Sequence, residues 1–398
     1  MSGKVMQEMD RSLWIEGKNM RGHRSMRAIL RYAGRRYYDP DRLINSALGD
    51  KIMETMGFWY FSDCDEDAPE VHEYWRALGI KKELHEKEDY MKKWSALIPL
   101  SVYAPENAGK KWPVVFQLHG GSSPIFYAEH YGFSHLSAKE GFITIYPQDR
   151  YEQNIRRIWD EVQKLYPVDL SRVYVHGFSM GGVYCHNISA RCTDIFAACA
   201  TSGVQPMLDT LGLPEEFDAV MLKAGMPGIH ICGEEEVQNI APFSVEALPD
   251  NSRYSIEVKA RIKRETELGH RKPSIPAKEE RTDDDKLEMF NRKMRVSGCR
   301  EVTREECDAA LKNEREIVEE KLGIPCEEKK VLTRYEKKHY IADFRNGEGV
   351  VMCRVCCIQD QPHWCTYDHA ELCWDFMKRF TRDPETKKLS CNKTAELI

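Results

Sequence analysis

The chain lacks any long hydrophobic run. Nowhere among its 398 residues does a stretch approach the roughly 20 consecutive apolar residues of a membrane-spanning helix. Its first thirty residues, opening MSGKVMQEMDRSLWIEGKNM, hold no uninterrupted apolar core of a secretory signal. Both lacks lead us to expect a soluble, unexported protein of the cytoplasm with no membrane partner. An excess of one charge is missing as well: 58 Lys and Arg face 64 Asp and Glu, a net charge of −6. No whole-chain field would therefore gather nucleic acid, and no nucleic-acid partner is expected. One basic stretch, residues 18–42, carries eight Lys or Arg around Tyr37 and Tyr38. In an acidic chain it reads as a solvated or acid-paired face rather than a nucleic-acid patch. Internal repeats and Pro/Gly/Ser-rich linkers are absent too, so the segments flanking the central part are expected to pack on it. Oligomeric state is not legible.

Cysteine is plentiful, with 14 residues. Without an export signal these are expected to be reduced thiols, mostly small core side chains. The densest group is Cys353, Cys356, Cys357 and Cys365, in which Cys353 and Cys356 have C-x-x-C spacing and His363 lies nearby. No second spaced pair completes four zinc ligands, so VVMCRVCCI is read as a buried strand and no metal is expected.

Apolar, β-rich runs recur at LSVYA (residues 100–104), PVVFQL (113–118), FITIYP (142–147), RVYVH (172–176), AACATS (197–202) and GIHIC (228–232). Helix-length segments such as residues 152–165 separate most of them. That alternation predicts an α/β domain with a mostly parallel central sheet covered by helices on both faces. A last strand is expected at residues 350–358, paired with residues 340–344 through a turn containing Asn346-Gly347. Residues 1–92, with FWYF at 58–61, form an N-terminal extension. Residues 93–248 carry the first part of the core. Residues 249–338 form a charged, partly helical insertion, since 16 of the 30 residues from 261 to 290 are charged. Its second half, TREECDAALKNEREIVEEKLG, opens with a capping-box pattern at Thr303 and Glu306. Residues 339–398 complete the core, closing on a helix with a start signal at Asp368 and Glu371 and an apolar stripe of Leu372, Cys373, Phe376, Met377 and Phe380.

Chemistry concentrates in VYVHGFSMGGVYCHN, residues 173–187, where Gly177-Phe178-Ser179-Met180-Gly181-Gly182 joins a strand to a helix. In G-x-S-x-G at such a junction, a tight strained turn lifts the serine hydroxyl out of the sheet's carboxyl end. A glycine-rich turn without chemistry has the same bare pattern. A serine needs an oxyanion site and a base. QLHGGSS places Gly120 and Gly121 directly after a strand, where backbone N–H groups can face developing negative charge, with the N–H of Met180 as second donor. For the base, the order serine, acid, histidine points to His363, in the loop between the last strand and the final helix. His369, in the first turn of that helix, is its competitor. The acid belongs just after a strand between the two, where GIHICGEEEV offers Glu234, Glu235 and Glu236 without distinguishing them.

Together these blocks resemble the α/β-hydrolase esterases related to polyhydroxybutyrate depolymerases, which include feruloyl and acetylxylan esterases. The resemblance runs through LSVYAP, WPVVFQLHGG, AKEGFITIYPQ, DLSRVYVHGFSMGGVYCHNIS and FAACATSG, and resumes at QPHW and ELCWDFMKRF, about half of the chain. It implies the α/β-hydrolase fold, Ser179 as nucleophile, His363 as base and an oxyanion turn at Gly120 and Gly121. The acid it implies is Glu236, where family members usually carry aspartate. The implied activity is that of a serine carboxylesterase acting on a small ester substrate with no cofactor. A peptidase or acyltransferase on the same fold, and an idle hydrolase fold that only binds, are the competing readings.

Overall fold

Runs of β-branched and aromatic residues become strands buried on both faces: all seven positions of Trp112–Leu118 and all five of Ile143–Pro147 are inaccessible. The structure is a computed structural model and describes residues 66–121, 125–204, 216–233, 283–305, 328–334, 337–358, 365 and 367–392. Ten strands form one sheet: β1 (Ile80–His85), β2 (Trp94–Pro99), β3 (Trp112–Leu118), β4 (Ile143–Pro147), β5 (Val168–Phe178), β6 (Ala198–Ser202), β7 (Gly228–Gly233), β8 (Glu328–Arg334), β9 (Lys337–Arg345) and β10 (Val351–Ile358). Their order is β1-β2-β4-β3-β5-β6-β7-β10-β9-β8. From β4 to β10 every pairing is parallel. β1 and β2 at one side, and β9 and β8 at the other, are added antiparallel.

The helices are α1 (Pro69–Ala77), α2 (Ile125–Glu129), α3 (Phe133–Glu140), α4 (Glu152–Leu165), α5 (Met180–Arg191), α6 (Glu216–Ala224), α7 (Asp283–Val296) and α8 (Tyr367–Met377). Helix α4 shows why they form. Ile155, Ile158, Trp159 and Val162 recur at helical spacing and are its buried stripe. Glu152–Arg156 and Arg157–Glu161 pair along its exposed side. Pro167 then forces Tyr166 into extended backbone, at φ −129° and ψ 152°, which ends the helix.

Side chains alternate across the sheet and divide the core in two. On one face Val114, Phe116, Val173 and Val175 meet Ile155 and Val162 of α4 and Ile188 of α5. On the other, Val115 and Tyr174 meet Phe133 of α3 and Cys373 and Phe376 of α8. The charged stretch before the last strands contributes to this second core through Phe290 and Met294 of α7. Strand β1 and the buried Trp75 of α1 lie N-terminal to residue 92 and belong to the same sheet and its cover.

Two local expectations are corrected. Residues 100–103 form a 3-10 turn, not a strand, and the strand is Trp94–Pro99 immediately before it. Pro99 and Pro105 bracket the segment, and Leu100 and Tyr103 point to solvent instead of alternating into the core. Phe380 is buried but lies beyond α8, in β11 (Phe380–Arg382), which pairs with β12 (Leu389–Cys391). The run VVMCRVCCI is strand β10, with Cys353 and Cys356 fully buried. The turn joining it to β9 is built on Asn346, whose side-chain oxygen accepts the N–H groups of Glu348 and Val350. Residues 18–42, residues 58–61 and the helix expected beyond Glu306 lie outside the described residues. Among the described residues no helix is long and apolar enough to cross a membrane.

Two features of this core have measurable consequences. Opposite each other on β10 and β9, Arg354 and Asp343 form a buried bidentate pair, at 2.6 and 2.8 Å. We expect Asp343→Ala to lower unfolding stability by about 3–5 kcal/mol, because it strands a buried guanidinium. Asp343→Leu combined with Arg354→Met should recover much of that in urea denaturation. Equal losses for the single and double variants would contradict this account.

Burial also holds several histidines neutral. His119 and His135 are lowered to about 4 and His176 to about 3, while His130 and His230 fall well below their ordinary value, in every case chiefly by desolvation. A depressed folded value means that their contribution is complete above the unfolded value near 6.5. It is lost as pH falls from there toward the folded values, by about 1.4 kcal/mol per pH unit for each histidine. Stability should drop steeply between pH 6.5 and 4. Chemical denaturation across that range should show His176→Gln reducing the slope by about one proton, and an unchanged slope would refute the assignment.

Candidate active site

Strand β5 delivers Phe178 to the edge of the sheet, and α5 begins at Met180, so the whole reversal falls on Ser179. Its backbone sits at φ +54° and ψ −121°, a conformation that costs a non-glycine residue about 1–3 kcal/mol. Serine at the start of a helix ordinarily caps it with its hydroxyl. Ser179 makes no side-chain cap. Its backbone instead holds the junction: the N–H donates to the Ser202 carbonyl at 2.9 Å, and its carbonyl accepts from Gly182 at 2.9 Å and Val183 at 3.2 Å.

The flanking glycines are dictated by contact. A Cβ on Gly177 would fall 2.0 Å from the Gly181 carbonyl oxygen, and one on Gly181 would fall 2.2 Å from that of Leu118. These are backbone atoms at the start of α5 and the end of β3 and have no room to yield. Gly182 is confined by Val204, at 2.7 Å from such a Cβ. The turn after β3 lies against the same point: a Cβ on Gly120 would meet Phe178 at 3.2 Å and the Ser179 Cβ at 3.4 Å. Gly121 follows at φ +38°. The structure thus brings Ser179, Met180, Gly120 and Gly121 together. Met180 is 43% exposed, and its N–H belongs to the first turn of α5, where helical amides lack an intrahelical partner.

A buried polar row underlies the turn. Ser202 donates to His176 Nε2 at 2.9 Å, and His176 Nδ1 donates to Gln117 Oε1 at 2.8 Å, which fixes one neutral tautomer across β6, β5 and β3. Beside it His119 Nε2 lies 2.8 Å from the Gln148 carbonyl. Its Nδ1 faces the Gly120 carbonyl at 3.1 Å, and desolvation and the neighbouring Arg150 keep the ring neutral. Arg150, from the segment after β4, donates Nη1 to the His119 carbonyl at 2.5 Å and Nη2 to the Gly121 carbonyl at 3.1 Å. Neither Arg150 nor Ser202 has a sequence signal. Q-D-R after a strand and a serine closing ACATS are ordinary polar strand ends, and only the pairing of β4, β3, β5 and β6 brings them here.

The other candidates are placed by the strands that lead to them. Gly233 and Ile358 are register partners on the parallel strands β7 and β10, so the chain leaves the sheet at neighbouring points. Glu234, Glu235 and Glu236 follow the first directly, and His363 comes five residues after the second. These four residues lie outside the described residues. His369, the competing histidine, is buried in the first turn of α8. Its charge would oppose that of His176 and helps to hold His176 neutral.

The strand order, with a serine at a glycine-lined strand-to-helix turn, puts the chain in the α/β-hydrolase fold class. No family model matches the chain. It is similar to a bifunctional acetylxylan esterase/xylanase of Neocallimastix patriciarum, 28% identical over 162 residues that cover 37% of this chain and 23% of that protein. The chain therefore spans under a quarter of the length of that curated relative. Among solved structures it is similar to an S-formylglutathione hydrolase from Agrobacterium tumefaciens, 14% identical with a TM-score of 0.32, covering 46% of this chain and 83% of the other. It is also similar to the feruloyl esterase module from Clostridium thermocellum, 16% identical with a TM-score of 0.33, covering 40% and 69%.

The glycine contacts make a sharp prediction. Gly181→Ala should abolish reaction of Ser179 with a fluorophosphonate probe while leaving the far-UV circular dichroism spectrum close to wild type. Labelling at the wild-type rate would show that the close approach to Leu118 is not required.

Proposed function

We propose that the chain is a serine carboxylesterase acting on small acyl or aromatic esters of the acetyl or feruloyl type. The observation that carries this reading is Ser179, held at φ +54° without capping its helix and set against the turn of Gly120 and Gly121. The similarity to a protein named an acetylxylan esterase/xylanase supports ester hydrolysis as the reaction.

In the proposed cycle Ser179 Oγ bonds to the ester carbonyl carbon while His363 takes the hydroxyl proton. The N–H groups of Gly121 and Met180 stabilise the resulting oxyanion. His363 then gives that proton to the leaving alcohol as the carbon–oxygen bond breaks, and an acyl-serine remains. Water loses a proton to His363, attacks the acyl carbon and releases the acid, with the proton returning to Ser179. Glu236 accepts the Nδ1 hydrogen bond of His363 and stabilises the imidazolium; its longer side chain serves where aspartate is usual if the loop retreats by a methylene. No metal or organic cofactor takes part in these steps.

A panel of p-nitrophenyl and methyl hydroxycinnamate esters tests the proposal. Wild-type turnover should fall by about 10,000-fold or more in Ser179→Ala and in His363→Ala. Glu236→Gln should fall comparably, while Glu234→Gln and Glu235→Gln remain within about threefold, as expected for side chains outside the triad. Turnover that survives Ser179→Ala would refute the mechanism. A protein that neither hydrolyses any ester nor labels with a fluorophosphonate would refute the enzyme reading itself.

A further inference from the structure

We propose that Arg150 is the positioning residue of the oxyanion turn, clamping the Gly120-Gly121 peptide through the carbonyls on either side of it. This rests on the esterase reading above. Gly120 and Gly121 have no side chains to restrict their backbone, and Gly121 sits at φ +38°, so the turn cannot hold its own shape. Something outside it must.

The Arg150 guanidinium meets that need with a fixed fork. One N–H engages the carbonyl before Gly120, that of His119, and another engages the carbonyl of Gly121. Between these anchors lies the peptide that carries the Gly121 N–H, the proposed oxyanion donor. Because a trans peptide is planar and points its N–H opposite its C=O, fixing both flanks fixes the direction of that donor. Gly120 is also met by Tyr131, whose hydroxyl lies 3.4 Å from its N–H, and by Phe178 and the Ser179 Cβ.

Arg150 is itself held. Its guanidinium lies over the ring of Tyr184 on α5, 4.6 Å from the centroid, and Tyr184 meets Tyr151 edge-on at 5.6 Å. Among the described residues no carboxylate bonds to it, which distinguishes it from the arginines of α4 that pair with acids on the surface. His119 Nδ1 lies 3.1 Å from the Gly120 carbonyl and 3.5 Å from Arg150 Nη1, and the neutral ring sets no second positive charge against the guanidinium. The clamp thus links the segment after β4, the turn after β3 and the helix that begins at the nucleophile.

Removing the fork should let the donor drift without disturbing substrate binding. A misplacement of about 1 Å at a catalytic group lowers rate by roughly 100-fold. We therefore expect Arg150→Ala to reduce kcat, and the second-order rate of fluorophosphonate labelling at Ser179, by about 100-fold with KM within about threefold. Arg150→Lys, which keeps the charge but not the fork, should lose about 10-fold. Guanidinium ion at concentrations well below denaturing should restore part of the labelling rate in Arg150→Ala and none in Ser179→Ala. Thermal midpoints of both Arg150 variants, measured alongside, report folding separately. Wild-type kcat and labelling in Arg150→Ala would overturn the proposal. So would a raised KM for anionic esters with kcat intact, since that makes Arg150 a substrate-binding residue. Loss of labelling without guanidinium rescue in a variant that melts well below wild type would also overturn it, in favour of a purely structural role. A wild-type protein that neither labels nor hydrolyses esters fails at the esterase reading, and this inference falls with it.

Discussion

The carboxyl edge of the sheet depends on one contact between backbones: α5 starts so close to the end of β3 that no Cβ fits at Gly181, and so close to β5 that none fits at Gly177. Peptide groups at this distance cannot be separated by adjusting rotamers. The start of α5, the end of β3 and the serine between β5 and α5 therefore form a single rigid piece, and the unfavourable backbone of Ser179 is one consequence of it. A wider crossing would relax the serine and remove its proximity to Gly120.

Polar groups stiffen the same region from below. His176, between Gln117 and Ser202, spans three strands with both ring nitrogens engaged, and Ser202 also supplies the carbonyl that holds the Ser179 N–H. A buried row of this kind specifies strand register more sharply than apolar contacts do, since a shifted strand would leave both ring nitrogens of His176 without partners. The same row makes the interior sensitive to acid, because its imidazoles are tolerated there only without charge.

Much of the fold was legible because its strands are buried on both faces and so read as continuous apolar runs; Trp112–Leu118 and Ile143–Pro147 needed no context. Helix α4 was open through the length of the segment between its strands, residues 152–165. Where neighbours decide, the reading failed: LSVYA has the composition of a strand, yet prolines on either side turn it, and Phe380 continues the stripe of α8 after the helix has stopped. At the candidate site, Ser179 and the two glycine turns carry local patterns, and the structure assembles them. Arg150, Gln148 and Ser202 carry none, because their positions follow from the order in which strands pair. The histidine and the acid were read from chain order alone, and what the fold adds is the neighbouring exit of β7 and β10.

The hairpin of β8 and β9 changes what it means for β10 to be the last parallel strand. With two more strands beyond it, β10 is paired on both sides, and among the described residues the edge on that side of the sheet is β8, whose sequence EKKVLTR is charged at four of seven positions. Lysines in an edge strand discourage another chain from docking there. The strand that leads to His363 is thereby removed from the part of the molecule most exposed to aggregation, and its end is braced on both sides rather than on one.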